Sequence, residues 1–294
     1  MTFEILPPWA LFGLTAAALS ACVLLLQERL KVNGYALAFW NKIACVAITA
    51  PFVFTFGFPE NPTFYLFLSF GAVLWAISDI VLFTGIANVG AGAVSRLLPS
   101  SSILSFLLWF MIDPQLFHKY SAKPIIFGLI FLVLCAFSYC AFRMKKCEIS
   151  MRAVRAIWFV IFAAVVGSLN AKFITTQANI DQGPYAYVFV EGLMMIALWA
   201  LYLVIRKPVP LSTYINAWRD GLTIGFFTAM TVLMSVTAFF YVDNPAYIPA
   251  IKALDAVIIL FIYRLWQQKA QGDLKAGLGI VACAVALIVL KAQI

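Results

Sequence analysis

Asp79, Glu191, Lys252 and Asp255 each stand inside a long apolar run, and Lys42, Arg96 and Lys172 stand nearer the ends of three others. A charged side chain at the middle of a bilayer costs at least about 2.5–3.5 kcal/mol on insertion scales, so each of these needs a protein partner, a water-filled cavity or a ligand. Lys252 and Asp255 lie at i, i+3 on one helix face, a spacing that allows them to pair directly. The structural alternative to a binding role for this pair is an ion pair that locks helices together. Asp79 and Glu191 have no opposite charge three or four residues away. Their partner must come from another helix, as Arg96, Lys42 or a hydroxyl, or else they carry a proton or face a cationic group.

Other side chains around these charges have chemistry to offer. Trp75 precedes Asp79 by one turn on the same face, and Trp40 and Trp199 also lie deep in apolar runs. An aromatic wall there would hold a cation or a flat ring, although packing alone accounts for such residues. Arg96 presents a planar fork suited to carboxylate or phosphate, yet it is close enough to the start of its run to snorkel, as Lys42 and Lys172 are expected to do. Asn170 is placed to hydrogen-bond across helices or to a substrate. Pro99 and Pro249 interrupt two runs and free backbone carbonyls that can line a cavity. Gly92, in the series Gly85, Gly90 and Gly92, suits close helix approach or a hinge.

Several chemistries find no support. The only histidine, His118, is remote from the cysteines, and the closely spaced Cys135 and Cys140 sit in an apolar helix without a histidine. A zinc or Cys/His centre is therefore not expected, and the cysteines read as small apolar residues, not a disulfide frame. With no nucleophile beside a base, no metal cluster and no glycine-rich nucleotide loop, the chain is not expected to be an enzyme or to hold a cofactor.

The elements that must position these residues are membrane helices. Of the 294 residues, 64% are hydrophobic and 11% charged, against roughly 25% charged in an ordinary soluble domain. The mean hydropathy of +0.99 is spread along the whole length, unlike a leader followed by a soluble domain. At about 20 residues per crossing, ten spans fit: 9–26, 35–56, 65–87, 91–112, 123–142, 154–176, 185–205, 219–242, 246–266 and 275–291. The expected fold is all-α and integral to the membrane. Its ten helices form two inverted five-helix repeats around a central cavity, 1–146 and 147–294, within one functional domain.

Three features carry the division. The most polar stretch, with Arg143, Lys145, Lys146, Arg152 and Arg155, falls at mid-chain as a linker, and an odd helix count per half inverts the second half. Aligning Arg96 with Lys252 sets Asn88 on Asn244, Leu98 on Leu254 and Pro99 on Asp255. A second match sets Asn33-Gly34 on Gln182-Gly183 and so puts Lys42 opposite Glu191. Basic residues gather in the loops after odd-numbered spans, which places that side in the cytoplasm and both termini outside it. The net charge of +8 reads as this topology and not as nucleic-acid binding.

The stretch Ala91-Gly-Ala-Val-Ser-Arg-Leu-Leu-Pro-Ser-Ser-Ser-Ile-Leu-Ser-Phe-Leu-Leu-Trp109 resembles the Leu-x-Pro segment of the drug/metabolite transporter superfamily, in its ten-helix EamA-like form. Ala250-Ile-Lys-Ala-Leu-Asp-Ala-Val257 fits the corresponding place in the second half. The chain departs from that pattern where an acidic residue follows these helices: Asp113 stands in the first half, Gln267 and Gln268 in the second. The resemblance implies alternating access through a cavity lined by spans 1, 3, 4, 6, 8 and 9. The expectation is a secondary transporter of a small charged or zwitterionic, amino-acid-like metabolite, with protons as a candidate coupling ion. An organic-cation or drug exporter, a nucleotide-sugar or sugar-phosphate carrier and, from another class, a lipid scramblase stay open. The expected setting is a multi-pass protein of a bacterial inner membrane, as monomer or homodimer, whose partners are its small-molecule substrate and the bilayer.

Overall fold

The computed structural model describes residues 6–89, 98–143, 151–206, 209–266 and 273–294, and among these all regular structure is helical. Arg96 and Gly92, two of the expected site and hinge residues, lie outside the described residues. In the first half the helices are α1 (Pro8–Leu30), α2 (Gly34–Phe56), α3 (Pro62–Val89), α4 (Ser100–Ile112), α5 (Pro114–Ser121) and α6 (Pro124–Arg143). The second half has α7 (Met151–Thr175), α8 (Gly183–Arg206), α9 (Leu211–Asn216), α10 (Trp218–Phe240), α11 (Tyr247–Lys252), α12 (Asp255–Leu265) and α13 (Leu274–Lys291).

Local chemistry sets the ends. Pro8 opens α1 at a position whose N–H has no helical partner to lose. Asn33 caps α2 by accepting from the Tyr35 N–H at 3.0 Å, and Asp113 and Asp273 cap α5 and α13 in the same manner. Gly57, at φ +88°, ends α2 in a conformation that a side chain would strain.

Eight of the helices among the described residues are long and apolar enough to cross a bilayer, or nine if α4 and α5, bent by 109° to each other, form one crossing. Eight of the ten windows read from the sequence coincide with one helix each to within four residues at either end. The closest matches are the windows of α2 and α13, each off by one residue at one end. The fourth window is helical from Ser100 among the described residues, and the ninth is helical in two pieces, α11 and α12, rather than as one rod. Large apolar side chains such as Phe54, Met111, Ile125 and Val204 face outward, as lipid contact requires.

Helix packing places the first half against the second. α1 and α2 both pack along α10, α3 packs along α7 and α8, α2 along α8, and α6 along α13. α4 meets α7, while α1 meets α11 and α12. Small residues allow this closeness: an added Cβ on Gly225 of α10 would lie 3.1 Å from the Asn41 Cα, backbone against backbone.

The two ends of the bundle are fastened differently. At the end holding the C-termini of α10 and α13, Asp243 pairs with Lys291 and, at 3.9 Å, with Lys119. Beside them the Tyr120 and Tyr247 hydroxyls share a hydrogen bond of 2.7 Å within a packed aromatic cluster. At the opposite end Tyr263 of α12 donates to Glu28 of α1, and Gln27 donates to the carbonyls of Val32 and Phe83.

Candidate functional site

A cavity of about 260 Å³ lies inside the bundle, bordered by α1, α2, α3, α4, α7, α8, α10, α11 and α12. Of the residues expected from sequence, Asp79, Glu191, Lys252, Asp255, Trp75 and Pro249 border it. Lys42 joins them, and this corrects the expectation that it snorkels: its side chain is 5% exposed and points into the bundle.

The charges form two groups. Lys42 of α2 lies 3.3 Å from Asp79 of α3 and 3.9 Å from Glu191 of α8, so one ammonium faces two carboxylates drawn from both halves. This supplies the cross-helix partner that Asp79 and Glu191 lack on their own helices. Tyr187, one turn before Glu191, interacts through its hydroxyl with both Glu191 and Trp75. Oxygen Oε1 of Glu191 accepts no hydrogen bond from any described residue.

The second group sits where α11 gives way to α12. The chain stays coiled there, but bonds tighten from i, i+4 to i, i+3, with Leu254 donating to Ile251 and Val257 to Leu254, both at 3.0 Å. Lys252 ends one helix and Asp255 begins the next. The two do not form the direct ion pair that their spacing allows. Asp255 instead accepts from Ser20 of α1 at 2.9 Å, and its Oδ1 is left without a partner. Lys252 borders the cavity and makes no hydrogen bond or ion pair with a described residue.

Prolines do not make this break. Pro249 is the third residue of α11, where its missing N–H costs little, and its carbonyl still accepts from Ala253 at 3.2 Å. Pro99 likewise stands at the N-terminus of α4, and its carbonyl accepts from Ser138 of α6 at 3.4 Å.

Three expected site residues are held in packing outside the cavity's lining. Asn170 donates across helices to the Phe67 carbonyl at 2.9 Å. Trp40 donates to the Tyr214 carbonyl at 2.7 Å, and Trp199 stands edge-on to Tyr35 and Tyr202. Lys172 reaches the Phe239 carbonyl at 2.9 Å. Trp75 is different: its ring occupies space left by Gly167 of α7, where an added Cβ would overlap it.

Hydroxyls make up much of the remaining polar lining. Ser20 and Ser168 border the cavity with Thr228, Thr231 and Ser235, while Val232, Val236 and Phe239 supply apolar wall. Thr228, Thr231 and Ser235 each donate back to a carbonyl four residues earlier, which leaves their oxygen lone pairs as acceptors. Sequence reading singled out none of these hydroxyls. The signal available was the run Thr228, Thr231, Ser235 at spacings of three and four on one face of an apolar helix.

No protein-family model matches the chain, and no curated protein does.

Proposed function

We propose that the protein is a secondary transporter with ten spans in two inverted five-helix halves, carrying a small charged or zwitterionic metabolite, amino-acid-like in its charges, by alternating access. The observation that carries this reading is Lys252. It is an ammonium group at a helix break, bordering the cavity, without a hydrogen bond or ion pair to a described residue. A buried amine left so is costly unless a ligand anion or water meets it. Asp255, three residues on, offers the free Oδ1 to a cationic group, so the break presents both signs to one small molecule. Discontinuous helices form substrate sites in transporters, and here the break contributes its two charged side chains, since its backbone stays hydrogen-bonded.

The packing supports the inverted halves. Exchanging α1 with α7, α2 with α8, α3 with α10, α4 with α11 and α12, and α6 with α13 turns the α1–α10 contact into α7–α3 and the α2–α10 contact into α8–α3. The same exchange turns α1–α11 and α1–α12 into α7–α4, and each of these contacts is present. Lys42 and Glu191, matched in the internal alignment, meet across α2 and α8, where such a two-fold axis would pass. The resemblance to the EamA-like transporters agrees with this arrangement.

Thermal unfolding of detergent-purified protein, screened against amino acids, organic cations and nucleotide sugars, tests the reading, since a ligand of the native state raises its stability. An amino-acid-like zwitterion should raise the midpoint, Lys252→Gln should remove that rise, and the same compound should undergo counterflow in proteoliposomes. A rise that survives Lys252→Gln, or one confined to nucleotide sugars, would overturn it.

A further inference from the structure

We propose that the Lys42, Asp79 and Glu191 cluster is a proton site, distinct from the helix break, and that the proton resides on Glu191 Oε1. Two carboxylates face one ammonium at 3.3 and 3.9 Å, with side-chain exposures of 13%, 4% and 5% for Asp79, Glu191 and Lys42. Fully ionised, the cluster holds one uncompensated negative charge in an apolar interior, where such a charge costs several kcal/mol. One proton from water, bonded to a carboxylate oxygen, brings the cluster to zero.

The geometry selects the atom. Lys42 lies nearer Asp79, and Glu191 is the more enclosed of the two acids. Glu191 Oε1 faces the bare backbone of Gly71, whose added Cβ would lie 3.9 Å away, and no described residue donates to it. Around Glu191 the neighbouring elements bring Lys42 and the Cys45 thiol from α2, Asp79 and the Trp75 indole from α3, and Tyr187 from α8 itself. α7 brings the uncharged Asn170 beside Gly71, and the cavity-facing residues of α10 are hydroxyls and apolar groups. Lys42 is thus the one cation these elements supply to both carboxylates among the described residues.

A metal ion is a poorer occupant than a proton. It would need several oxygen ligands and would share its shell with the Lys42 ammonium, and among the described residues no three acidic, thiol or imidazole groups converge to hold one. A proton needs one lone pair. Its use as a coupling ion rests on the transport reading, whereas its residence on Glu191 does not.

Infrared difference spectroscopy of the purified full chain, without substrate, reads the protonated-carboxyl C=O stretch apart from the ionised band. Asp255→Asn serves as the background, since it removes the other buried carboxyl of the cavity. At neutral pH the band is expected in that background and is expected to vanish with Glu191→Gln. It should vanish equally with Asp79→Asn, because one acid then matches Lys42 and Glu191 ionises. Replacing sodium by choline should leave the band in place. Loss in both variants supports the site; persistence in either, or dependence on sodium, overturns it, and Asp79→Asn decides the matter if Glu191→Gln does not fold. Proteoliposomes that carry nothing would sink the transport reading and leave this site standing, and counterflow with no band to lose would do the reverse.

Discussion

Two groups of charges border one cavity, and they are treated in opposite ways. Lys42 is enclosed between Asp79 and Glu191, gathered from three helices, while Lys252 and Asp255 are sequence neighbours that decline each other. In the first group the protein answers its cation with two of its own carboxylates, and the surplus acid is left to a proton. In the second, Asp255 is half-satisfied by Ser20 and Lys252 is left open to the cavity. The difference teaches that burial of charge by itself does not mark a ligand site. The marker is a charge that the fold had the means to pair and did not.

The largest test of that contrast is stability. Lys42→Met leaves two buried carboxylates facing each other and should destabilise the protein by about 3–5 kcal/mol, the cost of removing one member of a buried pair. Lys252→Met removes an unanswered amine and should be neutral or stabilising when no ligand is present. Thermal unfolding in detergent compares them directly, and equal losses would dissolve the distinction. Next comes Ser20→Ala, which strips Asp255 of the hydroxyl it accepts from and should cost about 1.5–3 kcal/mol, as for hydrogen bonds to charged groups. Asp255→Asn in the same background should recover much of that loss.

Gly167→Ala probes the cavity wall. The new methyl would overlap the Trp75 ring, and overpacking of this kind costs about 1–3 kcal/mol. Gly128→Ala, where an added Cβ meets nothing within 4 Å, is the control and should be silent or slightly stabilising. A tryptophan emission shift in Gly167→Ala, absent in Gly128→Ala, would locate the effect at Trp75. Unchanged melting and emission would mean that α7 yields without disturbing the cavity.

The sequence made the membrane helices legible because apolar runs and polar breaks are local properties, and the windows around α2, α6 and α13 meet their helices almost residue for residue. It also located Asp79, Glu191, Lys252 and Asp255, since a charge inside an apolar run is visible without a fold. What it did not yield is partnership. Lys42 reads as a snorkelling lysine from its place near a helix start, yet the carboxylates that draw it inward come from residues 79 and 191, far along the chain. The i, i+3 spacing of Lys252 and Asp255 predicts a pair, and the Ser20 hydroxyl that claims Asp255 is 235 residues away. Trp40, Trp199 and Asn170 carry the same signal as Trp75, and only packing separates the residue beside the cavity from those between helices. Pro249 marks an interruption of its apolar run in the sequence, but the tightened turn lies beyond it, at Ala253 and Leu254.

The smallest effect belongs outside the membrane spans, where the contrast can be checked against a charge in partial contact with water. Burial of Asp243 would raise its carboxyl, but the Lys291 hydrogen bond, with Lys119 and Lys172 nearby, more than offsets this and holds it below its ordinary value of 3.8. A carboxyl depressed in the folded state contributes stability that is fully present above its unfolded value and is lost as pH falls through its folded one. The Asp243 contribution should therefore be constant through neutral pH and fade only on acidification below 3.8. Because its side chain is 41% exposed, solvent screening keeps the loss small. Asp243→Asn should flatten that acid limb of the melting curve while leaving ligand stabilisation through Lys252 intact. An Asp243→Asn protein whose ligand response collapses at neutral pH would show instead that this end fastening and the cavity act as one unit, and the separation of answered from unanswered charges would have to be redrawn to include it.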